Sequence, residues 1–276
     1  MRTWRRITMI AKIWAFIRKD ILTETSYRLS FCLNILGVFM SVLVYFFIDK
    51  LFGSRVVGHL EPFGVNYFSY VLLGMAFFSY IGVGLGSFSE RIRTEQVQGT
   101  LEALLVTPAS LPVIVFSLAL GNLVMATIDA AIYILMGIYV FGIDFSKVNL
   151  LSCGLVLILT FLSFSGLGII SASFIIVFKR GNPTGWVINN LQGLISGVYF
   201  PVTVLPAWLQ AVSRCLPITY AIRAIQLAVY RGAGPSAIAT ELCMLALFSL
   251  LLIPLSFLCF GFAIRYAKRQ GSLSYY

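Results

Sequence analysis

Ten acidic residues, one histidine and five cysteines are all that this chain holds for binding a metal, moving a proton or attacking a bond. They are scattered. Cys32, Cys153, Cys215, Cys243 and Cys259 form no CxxC pair, and four of them lie in apolar runs, where a thiol behaves as a small hydrophobe. His59, alone of its kind, cannot build a histidine metal site, so no metal is expected. Asp129 stands inside a long apolar run, where an acid costs at least ~2.5–3.5 kcal/mol to insert. That makes it a candidate for a transport path. A proton relay would show several acids or histidines, so a hydroxyl or an asparagine such as Asn122 is the ordinary partner expected for it. Glu241, near Arg223 and Arg231, could form an ion pair there, a boundary acid facing water being the ordinary reading.

The polar residues concentrate in one place. RTEQVQGTLEALLVTPAS, residues 93–110, is a compact run of charge between two apolar stretches. Ser89 to Glu95 continues a helix out of the preceding apolar run, and Gly99 can end it because glycine tolerates positive φ. Thr100 can cap a new helix with Glu102 at the positive end of its dipole. Leu101, Leu104 and Leu105 make a small apolar face before Pro108 stops the turn. A helix this short has no stability of its own in water. It must pack on the inner ends of the chain's helices or in another protein's groove.

The elements that hold this run are membrane spans. Hydrophobic residues are 59% of the chain and charged residues 11%, against roughly 45–50% and 25% in soluble domains. A bilayer core of about 30 Å takes roughly 20 apolar helical residues to cross, and six segments suffice: about 29–48, 67–88, 111–141, 148–178, one beginning near Gly185, and 237–264. Their lack of period-2 alternation favours helices over a barrel. Of the 20 lysines and arginines, fourteen flank one side and six the other if the N-terminus is cytoplasmic. The positive-inside rule then predicts both termini inside. The net charge of +10 follows those flanks and suits anionic lipid headgroups rather than nucleic acid.

Before the first span, Ile7, Ile10, Trp14, Ile17 and Ile21 recur on one helical stripe, with Arg5, Lys12 and Lys19 on another face. Residues 1–28 are therefore expected to lie as a basic amphipathic helix at the membrane surface. The apolar stretch Ile13 to Ile17 is cut off by Arg18-Lys19-Asp20, too short for a signal peptide, so no cleavage is expected. In the fifth segment Asn189, Asn190 and Gln192 can line a path or a seam between subunits, interhelical hydrogen bonds being the ordinary use of such residues. Farther on, Pro201, Pro206 and Pro217 fall too close together for one helix. Residues 200–232, carrying Trp208 and many aliphatics, are too apolar for a solvated loop. They read as short helical pieces that dip into the outer leaflet and return before the last span.

The order Glu95, Gly99, Thr100-Leu101-Glu102, Leu104-Leu105, Pro108 closely resembles the cytoplasmic loop of the ABC type-2 exporter permease family. The basic N-terminal helix, six spans and proline-rich FPVTVLPAWLQ stretch extend the resemblance over essentially the whole chain. It implies an all-α integral membrane protein: an interfacial helix (1–28), a six-span permease domain (29–264) with a coupling loop at 93–110, and a cytoplasmic tail (265–276). It also implies a dimer with a second permease copy, bound to separate ABC ATPase subunits that carry ATP and Mg, in the plasma membrane. The chain itself is then no enzyme and holds no cofactor. None of its six lysines follows a glycine, so the sequence contains no P-loop. The alternative is an ion-coupled carrier using Asp129, which would call for paired acids and an inverted repeat. A membrane-embedded enzyme would need a nucleophile with its base, and no such grouping stands out. Nothing in the residues selects among a drug, a lipid or a lipid-linked glycan as cargo, an amphipathic or hydrophobic one being favoured.

Overall fold

A computed structural model describes residues 28–97, 111–178, 193 and 195–269. The N-terminal stripe from Ile7 to Ile21, the loop from Gly99 to Pro108, and Asn189, Asn190 and Gln192 lie outside the described residues. Among the described residues the regular structure is entirely helical: α1 (Arg28–Leu60), α2 (Tyr67–Val97), α3 (Leu111–Tyr139), α4 (Leu150–Phe178), a 3-10 turn (Val202–Val204), α5 (Ala207–Arg214), α6 (Pro217–Tyr230) and α7 (Ala239–Arg269).

Three described stretches are long and apolar enough to cross a bilayer: Ile35–Phe52 in α1, Leu150–Phe178 in α4 and Ala239–Tyr266 in α7. The apolar parts of α2 and α3 described in side-chain detail, Tyr67–Gly82 and Ala126–Tyr139, are shorter. Most of the expected fifth span lies outside the described residues. Helix α1 continues past the expected span, about 29–48, to Leu60, so that Lys50, Arg55 and His59 are helical. Its stop is Pro62, which disfavours helical geometry at Glu61, and Gly64 completes the turn at φ +69°.

Packing is tightest where small residues let backbones meet. A Cβ on Gly166 of α4 would lie 2.9 Å from that of Leu252 in α7, so no larger residue fits this crossing. Beside it Ser163 and Ser249 share a 2.8 Å hydrogen bond between the same helices. Such bonds, worth ~0.6 kcal/mol on average, are the usual polar glue between helices in lipid, where no hydrophobic force draws helices together. The main core joins Phe77, Tyr80 and Ile81 of α2, Phe164 of α4, and Ile218 and Ile222 of α6.

Helix α6 is the keystone of one end of the bundle. Ten of its 14 residues are buried. Its Ala228 carbonyl accepts from the Asn149 backbone N–H (3.0 Å), Arg231 donates to the Glu61 carbonyl (2.6 Å), and Ser152 donates to the Ala233 carbonyl (2.7 Å). Gly232, at φ +63°, passes so close to the Lys147 carbonyl that a Cβ would lie 2.5 Å from it. In the α3–α4 connection the Asp144 carboxylate accepts the Ser146 N–H at 2.8 Å. That bond holds this exposed acid's pKa below its ordinary value.

Candidate functional site

The proline-rich stretch folds as its spacing requires. Each proline opens a helix: Pro201 caps the 3-10 turn, Pro206 caps α5, and Pro217 takes the first position of α6. Proline suits those positions because its missing N–H would be unpartnered there anyway and its φ is already helical. Pro201 and Pro217 are buried and Pro206 is exposed.

Breaking a helix three times orphans carbonyls, and in an apolar setting each orphan costs several kcal/mol. Side chains answer them one by one. Tyr70 of α2 donates its hydroxyl to the Gly197 carbonyl at 2.7 Å. Ser213 donates to Ile195, Gln210 to Leu205 at 2.8 Å, Thr219 to Ser213 at 2.8 Å, and Tyr220 to Arg214 at 2.9 Å. Five carbonyls of the broken segment are thus answered by side chains of the protein. Trp208 points the other way, 68% exposed, with Val204 and Val212 alongside. It presents an apolar rim suited to a headgroup boundary.

A second set of bonds ties α6 to the start of α2. Tyr230 donates to the Ser69 carbonyl, and Gln226, fully buried, reaches the Tyr70 carbonyl at 3.5 Å. Asn66 caps α2 by accepting the Ser69 N–H at 3.1 Å. Where α6 meets α7, Arg223 Nε lies 3.2 Å from Glu241 Oε1, the acid side chain 9% exposed and the arginine 65%. This corrects the expectation that Glu241 faces water. It sits in the first turn of α7, favoured there by the helix dipole, and α6 brings the cation to it.

Among the sequence-predicted residues, Glu95 lies in the last turn of α2. That helix runs unbroken for 31 residues, roughly 46 Å at 1.5 Å per residue. A bilayer core spans only about 30 Å, less than the length of this helix. The rest of that loop's sequence, Gly99 to Pro108, lies outside the described residues, as do the interfacial isoleucines. Asp129 is half-buried on α3, with Tyr133 one turn on in its electrostatic range. Sequence reasoning missed Tyr70, Gln226 and Tyr230. Tyrosines and glutamines inside apolar runs carry no pattern that names a partner more than 120 residues away.

A helical bundle with long apolar spans, whose one broken segment has its polar backbone answered from within, is that of an integral membrane protein of several passes. The ABC-2 type transporter family model matches residues 11–230, and the chain belongs to that family. It is similar to the probable multidrug ABC transporter permease YbhR of Escherichia coli strain K12, 30% identical over 129 residues. The counterpart in Escherichia coli O157:H7 matches equally, at 30% over 129 residues. The aligned part is 47% of this chain and spans 35% of the relative's length.

Proposed function

We propose that the chain is the membrane-spanning half of an ATP-driven exporter, two copies forming the path and a separate ATP-hydrolysing subunit seated under each. The observation that carries this reading is the continuation of α2 beyond its apolar part to Val97, straight into the sequence Gly99-Thr100-Leu101-Glu102-Ala103-Leu104-Leu105. We read a long helix that leads in sequence to three leucines and two acids, Glu95 and Glu102, as a handle for a partner's groove. Pushing on it moves a packed bundle as a rigid body. The sequence holds no P-loop, so hydrolysis, with its ATP and Mg, belongs to the partner and this chain supplies no catalytic residue.

The apolar stripe Leu33, Leu36, Met40, Val44, Phe47 and Leu51 is exposed along α1, and we assign it to the second copy. The broken segment with Pro201, Pro206, Trp208 and Pro217 closes the outer end, and both termini face the cytoplasm of a plasma membrane. The cargo class is amphipathic or hydrophobic, a drug, lipid or lipid-linked glycan, in keeping with the multidrug description of the relative.

The test is co-expression with candidate ATPases. The expected result is a stable complex whose hydrolysis is stimulated by cargo, with stimulation lost in Leu101→Asp and Glu102→Lys. Cargo pumped uphill by the chain alone would overturn the reading, and so would either variant retaining full stimulation.

A further inference from the structure

Four tyrosines from four parts of the chain meet on one side of the α1–α2–α3 contact. Tyr45 of α1 stacks on Tyr199, ring centroids 5.5 Å apart and planes 12° from parallel. Tyr45, Tyr67 and Tyr199 pack on the cluster of Leu60, Phe63, Tyr70 and Val71, and Tyr45 and Tyr133 on the adjoining cluster of Val42, Phe68 and Leu72. Tyr199 also closes over Gly193, where a Cβ would lie 3.4 Å from its ring and 3.7 Å from Phe78. All four rings are half-buried, so each keeps part of its surface open.

A carboxylate stands at each end of this group. Asp129 lies within electrostatic range of Tyr133, and Tyr133 in turn of Tyr199. At the other end Asp49, one turn from Tyr45 on α1, lies within range of Tyr67. Helix spacing sets Asp49 beside Tyr45 on α1 and Asp129 beside Tyr133 on α3, each pair four residues apart. Asp129 is ten residues from the end of α3 at Tyr139, or about 15 Å, half the thickness of the hydrocarbon layer.

We propose that this tyrosine row, bracketed by Asp49 and Asp129, binds organic cations with aromatic or other apolar bodies. The inference deepens the exporter reading by naming its cargo class, and rests on that reading for transport though not for binding. A tyrosine face attracts a cation within about 6 Å of its centroid, with ~0.5–1 kcal/mol at exposed sites and ~2 where water is excluded. The ring bodies meanwhile cover apolar cargo. Asp129, inside an apolar helix, and Asp49, nearer a helix end and next to Lys50, each lower the energy of a positive charge beside them. A neutral aromatic gains the rings and nothing from the acids, while an anion is repelled at both ends. The row joins the mid-depth of α3 to the end of the bundle where α1 and α2 connect, the course a cargo would follow outward.

The test is binding of tetraphenylphosphonium to the full chain in detergent, by equilibrium dialysis, beside the uncharged triphenylphosphine oxide. The cation is expected to bind at least about tenfold tighter, and Asp129→Asn and Asp49→Asn each to weaken it about three- to tenfold. Asp129→Glu should restore binding, Tyr45→Phe should keep it, and Tyr45→Leu should reduce it. Equal affinity for the charged and uncharged probes overturns the proposal, as does undiminished cation binding by Asp129→Asn. If an acid variant does not fold, the comparison of the two probes on the unaltered chain still decides. No ATPase is present in this assay. A failure of the co-expression test therefore leaves the cation preference standing, and loss of that preference leaves the exporter reading standing.

Discussion

Placing one methyl group on Gly74 tests whether α2 rests on the broken segment as the structure describes. A Cβ at this position would lie 2.5 Å from the Val198 carbonyl oxygen and 3.3 Å from that residue's carbonyl carbon and Cα. Ordinary contact begins near 3.4 Å, so helix or segment must move by nearly an ångström. The obstacle is backbone and cannot rotate away. Overpacking of this kind costs ~1–3 kcal/mol, partly offset by the ~1 kcal/mol by which alanine exceeds glycine as a helix former. Gly74→Ala should therefore destabilise by up to about 2 kcal/mol, or roughly 4 °C at ~2 °C per kcal/mol. Gly37 of α1, which has nothing within 4 Å of its Cβ position, is the control. Gly37→Ala should leave the melting temperature unchanged or raise it. The assay is thermal unfolding of the purified chain in detergent, followed by intrinsic fluorescence. If both variants melt with the parent, α2 does not touch Val198 and the placement of Tyr199 beside it is wrong. Displacing Val198 should also disturb the Tyr45–Tyr199 stack, so Gly74→Ala is expected to weaken tetraphenylphosphonium binding while Gly37→Ala does not.

Other outcomes follow from the same geometry. Arg223→Gln strands a nearly buried carboxylate and should cost about 1–3 kcal/mol, whereas Glu241→Gln frees an arginine already in water and should cost under ~1 kcal/mol; equal melting shifts would refute the pairing. Ser163→Ala and Ser249→Ala, combined in a double-mutant cycle, should show a coupling of ~0.6 kcal/mol, as is typical of interhelical hydrogen bonds in membranes. Strict additivity would mean that each hydroxyl serves only its own helix, through Leu159 and Leu245.

Much of the architecture could be read from composition, because a bilayer makes secondary structure nearly compulsory: an apolar run must satisfy its own backbone, and a helix does so. Pro201, Pro206 and Pro217 announced the broken segment for the same reason. What the pattern could not supply was partnership across the bundle. The donors that answer the broken backbone, Tyr70, Gln210, Thr219 and Tyr220, resemble any polar residue at a membrane boundary until the chain is folded. Glu241 illustrates the point. Eighteen residues separate it from Arg223, and only the reversal between α6 and α7 brings the two together. The span limit near residue 48 is not the end of α1, because charge alone does not stop a helix, and the helix runs on to Leu60 just before Pro62. Asp129 was legible as a residue of interest, but the packing of Tyr133, one turn on, into one cluster with Tyr45 of α1 was not. The two rings come from helices distant in sequence, with no periodicity to link them.

The bonds from Tyr230 and Gln226 to Ser69 and Tyr70 pin the near end of α2, while its far end at Val97 is about 40 Å away at 1.5 Å per residue. A rod fastened in this way has its fulcrum at the tyrosines and its longest arm at the tip. A swing of only about 10° carries that tip about 7 Å, given the same rise per residue. In reverse, a stroke of several ångströms at Val97 is geared down to a small rotation beside Tyr45 and Tyr199, where the two stacked rings would feel it first.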